Sequence, residues 1–328
     1  MISRDGVAVV MHSFDISETT DVASRSEFAA RKWSFRFDGL EFTGWFTFNF
    51  TASELCSLRL RQRYVFRPSI YNDMFPVLTL NDAIKIAQTT PRPDGGFVGV
   101  YIESKVPQIF HSFDLQIERI IMDALSARGL HAVPHDNLTV PVVLQSFDPA
   151  SLARFRGLTT WPLVQLLLQP SAQPSVGALF MSTPLSRFVG KVDAVAPDLR
   201  GLFATGSSEA LAWVRQAHDL KLAVHVWTFR PEPQFTFSAL VPASGRASDV
   251  IAAQLLLLQN AEVDAVFIEN PQDATHTWIN PSETVQQGVD PIAATAWLLI
   301  LALAVAIFSF QKFRRNSRGF TPLAHSHI

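Results

Sequence analysis

Cysteine is nearly absent: Cys56 is the only one in 328 residues. An internal disulfide framework is therefore excluded. Cys56 follows Leu55 in a helix-like stretch and reads as a buried, inert thiol. A basic excess is absent too, with 27 Lys and Arg against 29 Asp and Glu and a net charge of −2. Nucleic-acid binders gather Lys and Arg on one face, so that class is set aside. No apolar h-region follows the polar opening Met1-Ile2-Ser3-Arg4-Asp5-Gly6, so no secretory signal is read there. The G-x-S-x-G elbow, the P-loop and the H-E-x-x-H zinc helix are all missing. Neither an internal repeat nor a low-complexity tract is found.

Apolar residues make up 48% of the chain, enough for one large core. They fall in short runs: Val7–Met11, Val98–Ile102, Pro141–Leu144, Val164–Leu168, Val192–Ala196, Leu222–Trp227 and Asp264–Ile268. Helical patterns lie between several of them, at Leu115–Leu130, Asp148–Phe155, Ser208–Leu220 and Ala247–Ala261. Strands apolar throughout and alternating with helices imply a parallel sheet covered on both faces. So many units in one chain favour an α/β fold of the (β/α) barrel type, with a doubly wound sheet as the alternative. The stretch Ser24–Leu58 breaks the alternation and is rich in Phe and Trp. It reads as an insertion over one barrel mouth, its aromatics forming a local core.

The far end has a different character. Residues 292–310, IAATAWLLILALAVAIFSF, are uncharged and close to the ~20 residues that span a bilayer. Lys312, Arg314, Arg315 and Arg318 follow at once, and positive charge holds a flank on the cytosolic side. The reading is a barrel over 1–275, a stalk over 276–291, a transmembrane helix over 292–310 and a cytosolic tail over 311–328. The barrel is expected in the lumen or outside the cell. A buried core helix is the other reading of the apolar run. Sequons at Asn49-Phe50-Thr51 and Asn137-Leu138-Thr139 accord with a luminal or extracellular barrel.

In a barrel the reactive side chains stand at the C-terminal ends of strands. There the sequence offers His12, Glu103 with Lys105, Gln145 with Ser146, His225 with Trp227, and Glu269. Residues two apart on a strand share a face, so Glu103 and Lys105 both point to the mouth. A carboxylate beside an ammonium suits a phosphate diester held with a divalent cation, or else forms a strand-end salt bridge. His12 titrates near neutral pH and suits proton transfer, or is simply a turn residue. His111, His131 and His135 show no metal-ligand spacing.

Together the ordered segments resemble one family. Arg4-Asp5-Gly6-Val7-Ala8-Val9-Val10-Met11-His12 with Thr19-Thr20-Asp21-Val22-Ala23 is similar to its "K-D-G-x-x-V-V-x-H-D … T-T-D-V-A". Phe75-Pro76-Val77-Leu78-Thr79 resembles "F-P-x-x-T", and Val100-Tyr101-Ile102-Glu103-Ser104-Lys105 resembles "I-Y-P-E-I-K". Gln145-Ser146-Phe147 resembles "Q-S-F", and Val224-His225-Val226-Trp227-Thr228-Phe229-Arg230 resembles "V-H-P-Y-T-x-R". Phe267-Ile268-Glu269-Asn270-Pro271 resembles "F-T-D-F-P" with Glu for Asp. Glu27–Lys32, Gly44-Trp45-Phe46 and Leu58-Arg59-Leu60-Arg61-Gln62-Arg63-Tyr64 resemble the long form found in plants and bacterial periplasms. The family is that of the glycerophosphodiester phosphodiesterases, and the resemblance runs from about Ser3 to Pro271.

The resemblance implies a TIM-type barrel, one Ca²⁺ or Mg²⁺ ion, and hydrolysis of glycerophosphodiesters to glycerol 3-phosphate and an alcohol. It implies that His12 is one of two catalytic histidines, that Glu103 is a metal ligand, and that Lys105 contacts phosphate. Gln145 and Trp227 take substrate-binding positions. The sequence departs from the family in three places. The family's "H-R-G" and "E-x-D" have no counterpart, and Ser13 stands where Asp usually follows the histidine. The expectation is a barrel lacking its first strand or strands, from an N-terminally incomplete chain with little activity. The alternative is a non-catalytic, membrane-tethered barrel that acts as a binding module.

Overall fold

The computed structural model describes residues 1–92, 95–131, 140–169, 178–230, 232, 235 and 247–269. The apolar run at 292–310, the stalk, the basic tail, His135 and Asn137 lie outside the described residues. Among the described residues, no helix is long and apolar enough to cross a membrane.

The architecture rests on one parallel sheet. Its strands are β3 (Val100–Glu103), β4 (Val142–Ser146), β5 (Leu163–Leu168), β7 (Ala194–Pro197), β8 (Ala223–Phe229) and β9 (Ala265–Ile268), adjacent in that order. A two-residue strand β6 (Leu179–Phe180) pairs with β5 off this path. Spatial order follows chain order without a reversal, as in a barrel; a doubly wound sheet reverses at a switch point. The sheet also curls until its first and last strands meet. Tyr101 on β3 packs edge-on against Phe267 on β9, with ring centroids 4.8 Å apart. No backbone ladder joins β9 to β3 among the described residues.

The period of two divides each strand between two cores. Tyr101, Val143, Val164, Leu166, Ala194 and Ala196 form a buried interior cluster, with Trp227 and Phe267 packed against it. Alternate residues such as Val100, Leu144, Leu163, Val195 and Val224 face the helices and join the larger core. The two alanines on β7 lie between Leu166 on β5 and Trp227 on β8 and leave room for these larger side chains in a narrow interior, which close packing requires.

The covering helices start on local signals. Helix α2 (Leu80–Thr89) opens with a capping box in which Thr79 accepts from Asp82 N and Asp82 accepts from Thr79 N. Helix α5 (Pro149–Arg156) has Asp148 accepting from Ala150 N, and proline at its first turn. Each such cap contributes about 1 kcal/mol. Helices α4 (Ile117–Ala127), the short α6 (Leu199–Leu202), α7 (Ser207–Asp219) and α8 (Ala247–Asn260) complete the covering layer, and α4, α7 and α8 fall where the sequence places them.

Two parts differ from that reading. Val7–Met11 is not a sheet strand. Gly6, at φ +76°, turns the chain so that Ala8 bridges Ile2, and Val9 bridges Thr79, both antiparallel. Of the run only Ala8 and Val9 are buried, one paired to the start of the chain and the other to the residue that caps α2. The aromatic stretch holds a hairpin of β1 (Trp33–Phe37) and β2 (Leu40–Gly44), followed by helix α1 (Ala52–Ser57). Phe46, Phe48 and Phe50 are buried, and Phe48 stacks on Phe113 at 4.5 Å. Phe113 follows helix α3 (Pro107–Ser112), which begins just past the C-terminal end of β3. The aromatics thus form a core beside the mouth. Cys56 on α1 is half-buried, its thiol raised by burial.

Candidate active site

Because Tyr101 points inward, so does Glu103 two residues later. Its register partner on β4 is Gln145, two residues beyond the inward Val143. Both stand at the C-terminal ends of their strands. Lys105 lies just beyond β3 and turns back, its Nζ 3.4 Å from both Glu103 oxygens. The same ammonium is 3.2 Å from His12 Nε2. His12 arrives from the segment that follows the Ala8–Val9 bridges, so residues 93 positions apart meet. Lys105 also lies 5.9 Å over the Phe147 ring, which stands edge-on to Trp227 at 5.5 Å. Trp227 Nε1 donates to Ala196 O at 2.8 Å, so only its ring remains to meet a ligand.

The protonation pattern follows from these contacts. His12 keeps an exposed edge, yet packing and the nearby charges of Lys105, Arg63 and Arg230 push its pKa down to about 3. It is therefore neutral over the ordinary pH range. An ammonium can only donate, so Nε2 is the acceptor and Nδ1 carries the proton, 3.3 Å from Ser13 Oγ. One layer deeper, Tyr101 Oη lies 2.9 Å from His225 Nδ1 across the interior. Burial lowers His225 to about 4 and raises Tyr101, so both are uncharged.

Two buried oxygens at this level, Glu103 Oε1 and Gln145 Oε1, have no hydrogen-bond partner. They sit on neighbouring strands and have the hard-donor chemistry that Ca²⁺ or Mg²⁺ takes. They fill only part of such an ion's shell. Among the described residues, no three His, Cys, Asp or Glu side chains stand together as a metal group.

His12, Glu103, Lys105, Gln145 and Trp227 thus converge on one mouth. Other candidates are committed to partners of their own. His111 pairs with Glu118 at 2.8 Å away from the mouth. His225 lies below it, and Ser146 Oγ donates to Ser104 O. Glu269, at the end of β9, is held by Arg230 and Arg67, each at 2.5 Å. Arg67 also pairs with Glu232 at 2.5 Å. This clasp gave no sequence signal of its own. Arg63 and Arg230 lay inside the family-like segments, but nothing in the spacing tied either to His12.

Comparison with known proteins gives a consistent picture. Residues 1–273 match the model of the glycerophosphoryl diester phosphodiesterase family. The glycerophosphodiester phosphodiesterase GDPD6 of Arabidopsis thaliana is 31% identical over 248 residues, covering 71% of this chain and 66% of that protein. The glycerophosphodiester phosphodiesterase of Haemophilus influenzae is 27% identical over 166 residues, covering 47% and 42%. The chain therefore spans just under two thirds of the plant relative and less than half of the bacterial one. A solved structure from Silicibacter pomeroyi DSS-3, assigned as a glycerophosphoryl diester phosphodiesterase, superposes with a TM-score of 0.58 at 17% identity. It covers 86% of this chain and 81% of its own, a likeness of fold.

Proposed function

The chain belongs to the glycerophosphoryl diester phosphodiesterase family, and we propose that its mouth binds and hydrolyses glycerophosphodiesters to glycerol 3-phosphate and an alcohol. The observation that carries this is the contact of Lys105 with both His12 and Glu103 at the strand ends. A phosphodiester carries one negative charge, and the Lys105 ammonium is placed to meet a non-bridging oxygen. When it does, it releases His12 Nε2, whose lone pair then accepts a proton or returns one to a leaving alkoxide. The neutral state of His12 keeps that lone pair open. Glu103 and Gln145 present oxygens to a divalent cation, Ca²⁺ or Mg²⁺. When bound, such an ion supplies positive charge against the phosphate. Trp227 offers a ring face to the glycerol carbons. The test is turnover of glycerophosphoethanolamine with and without Mg²⁺ or Ca²⁺. Metal-independent turnover, or none on any glycerophosphodiester, sinks the proposal.

The incomplete donor set favours a second reading, in which the mouth binds diesters without turning them over. Binding of a diester in the absence of any turnover would select it.

We further propose that residues 292–310 span a membrane, with the barrel outside the cytosol and the tail inside. The support is the uncharged run and the basic residues behind it. Protease protection on microsomes checks it. A barrel digested from the cytosolic side, with Asn49 unglycosylated, reverses the orientation.

A further inference from the structure

The cations around the mouth are not equally committed. Lys105 faces Glu103 and His12. Arg230 is engaged with Glu269, and Arg67 with Glu232 and Glu269. Arg63 has no carboxylate partner among the described residues. Its Nη2 donates to Tyr64 Oη at 2.8 Å, and its guanidinium lies 4.7 Å from the Tyr64 ring centre. The side chain is thus oriented with most of its five N–H donors unspent. Its support is fixed in turn. Tyr64 packs against Phe66 and Phe235 at 5.3 Å each, and Arg67 clamps this loop to the ends of β8 and β9.

Arg63 stands at the β8–β9 rim of the mouth: the Tyr64 ring beneath it contacts Phe235 at 5.3 Å, Arg230 beyond β8 meets Phe235 at 4.7 Å, and Arg67 of the same loop pairs with Glu269 at the end of β9. The single charge of a phosphodiester is already met by Lys105. A further oriented guanidinium is surplus to that charge and matches a second anion. The same loop disfavours a cation. The Tyr64 face is stacked by Arg63 and Arg67, at 4.7 and 5.0 Å. The Phe235 face is met by Arg230 at 4.7 Å. Rings that elsewhere cradle a quaternary ammonium are here occupied by the protein's own cations.

We propose that Arg63 is a specificity residue that selects glycerophosphodiesters whose alcohol arm carries a second negative charge over those bearing choline. This rests on the reading of the mouth as a glycerophosphodiester site. A carboxylate or phosphate on that arm would receive the guanidinium fork, which matches planar oxyanions.

Calorimetric titration of the full chain in detergent, with Mg²⁺ present and His12→Ala to prevent turnover, tests it. The titrants are glycerophosphocholine, glycerophosphoglycerol, and glycerophosphoglycerol carrying a terminal phosphate monoester. The monoester is expected to bind about tenfold tighter than glycerophosphoglycerol, the compound with a neutral arm, and the choline compound is expected to bind weakest. The preference should shrink as salt is raised. Arg63→Gln should bring the ratio of monoester to neutral compound near one, whereas Arg63→Lys keeps part of it because charge remains. An unchanged ratio in Arg63→Gln overturns the assignment. Equal binding of all three titrants by the parent overturns the selectivity and leaves the diester site standing. No binding of any titrant overturns both.

Discussion

On the β3–β4 side of the mouth, Glu103 meets its nearest cation at 3.4 Å, and Glu103 Oε1 and Gln145 Oε1 lack hydrogen-bond partners. On the β8–β9 side, Glu269 is gripped by two arginines at 2.5 Å and Arg67 bridges to Glu232. Both sides put carboxylates and cations at strand ends. An oxygen without a hydrogen-bond partner occurs on both sides, Glu269 Oε2 being one on the second. The difference is in grip: the first side holds its carboxylate at 3.4 Å, and the second closes two arginines on its own at 2.5 Å. The looser side therefore reads as chemistry and the tighter as scaffold.

Substitution separates the two most sharply at His12. His12→Ala should lower kcat by about 10²–10⁴ with cation affinity nearly intact, because the side chain transfers a proton. Glu103→Gln should instead raise the Mg²⁺ or Ca²⁺ concentration needed for half-maximal rate, since an amide is a weaker ligand than a carboxylate. Equal loss of cation affinity in both variants would show the two roles wrongly divided.

On the scaffold side the effect moves to stability. Arg67→Ala leaves two carboxylates without their shared cation and should cost about 2 kcal/mol in urea unfolding, less than a fully buried pair because solvent reaches this one. Lys105→Ala should change stability by no more than about 0.5 kcal/mol while abolishing diester binding. If Lys105→Ala unfolds the chain as readily as Arg67→Ala, the contrast between the sides is lost.

The layer beneath responds to pH. His225 is buried and its pKa is lowered to about 4. The unfolded chain takes up a proton near pH 6.5 that the folded chain refuses. Stability from this residue is thus present above pH 6.5 and is lost as pH falls from there toward 4, by about 3 kcal/mol. In His225→Gln, Tm should fall less steeply across that window than in the parent. A parallel slope in the two proteins would exclude this residue as a source of acid sensitivity.

The smallest effect is expected at Trp227. Trp227→Phe keeps a ring but loses the bond from Nε1 to Ala196 O, at a cost of about 1 kcal/mol. KM should rise only slightly if the ring face is what meets substrate. A large rise in KM would mean that the indole nitrogen itself reaches the ligand.

The parallel strands were legible because each is a short apolar run with a helix pattern beside it. Val98–Ile102 and Leu222–Trp227 were placed within two residues of β3 and β8. Val7–Met11 reads as a sheet strand because a short apolar run looks the same whether it joins a sheet or folds back through a turn at Gly6. The hairpin of β1 and β2 does carry a local signal, since Trp33, Phe35 and Phe37 alternate with Ser34 and Arg36 ahead of an Asp38-Gly39 turn, and a reading of the whole aromatic stretch as one insertion passes over it. At the mouth, Glu103 and Lys105 were readable from their spacing and His12 from family likeness. The clasp was not, since Arg67 and Glu232 lie 165 positions apart. A pairing at that distance leaves no local pattern.

Among the described residues the curled sheet closes between β9 and β3 through side chains, Tyr101 against Phe267 and His225, and no ladder of amide bonds joins the two strands. Among the described residues β3 is laddered to a strand on one side only, whereas β4, β5 and β7 have strands on both. Local openings of low free energy should concentrate along this line, and solvent deuterium should enter there first. The strand so loosened is the one whose end carries Glu103 and leads to Lys105. An occupant that ties those side chains to the opposite wall would slow exchange along β3, so a bound ligand would be visible in the backbone of a strand it touches only at one end.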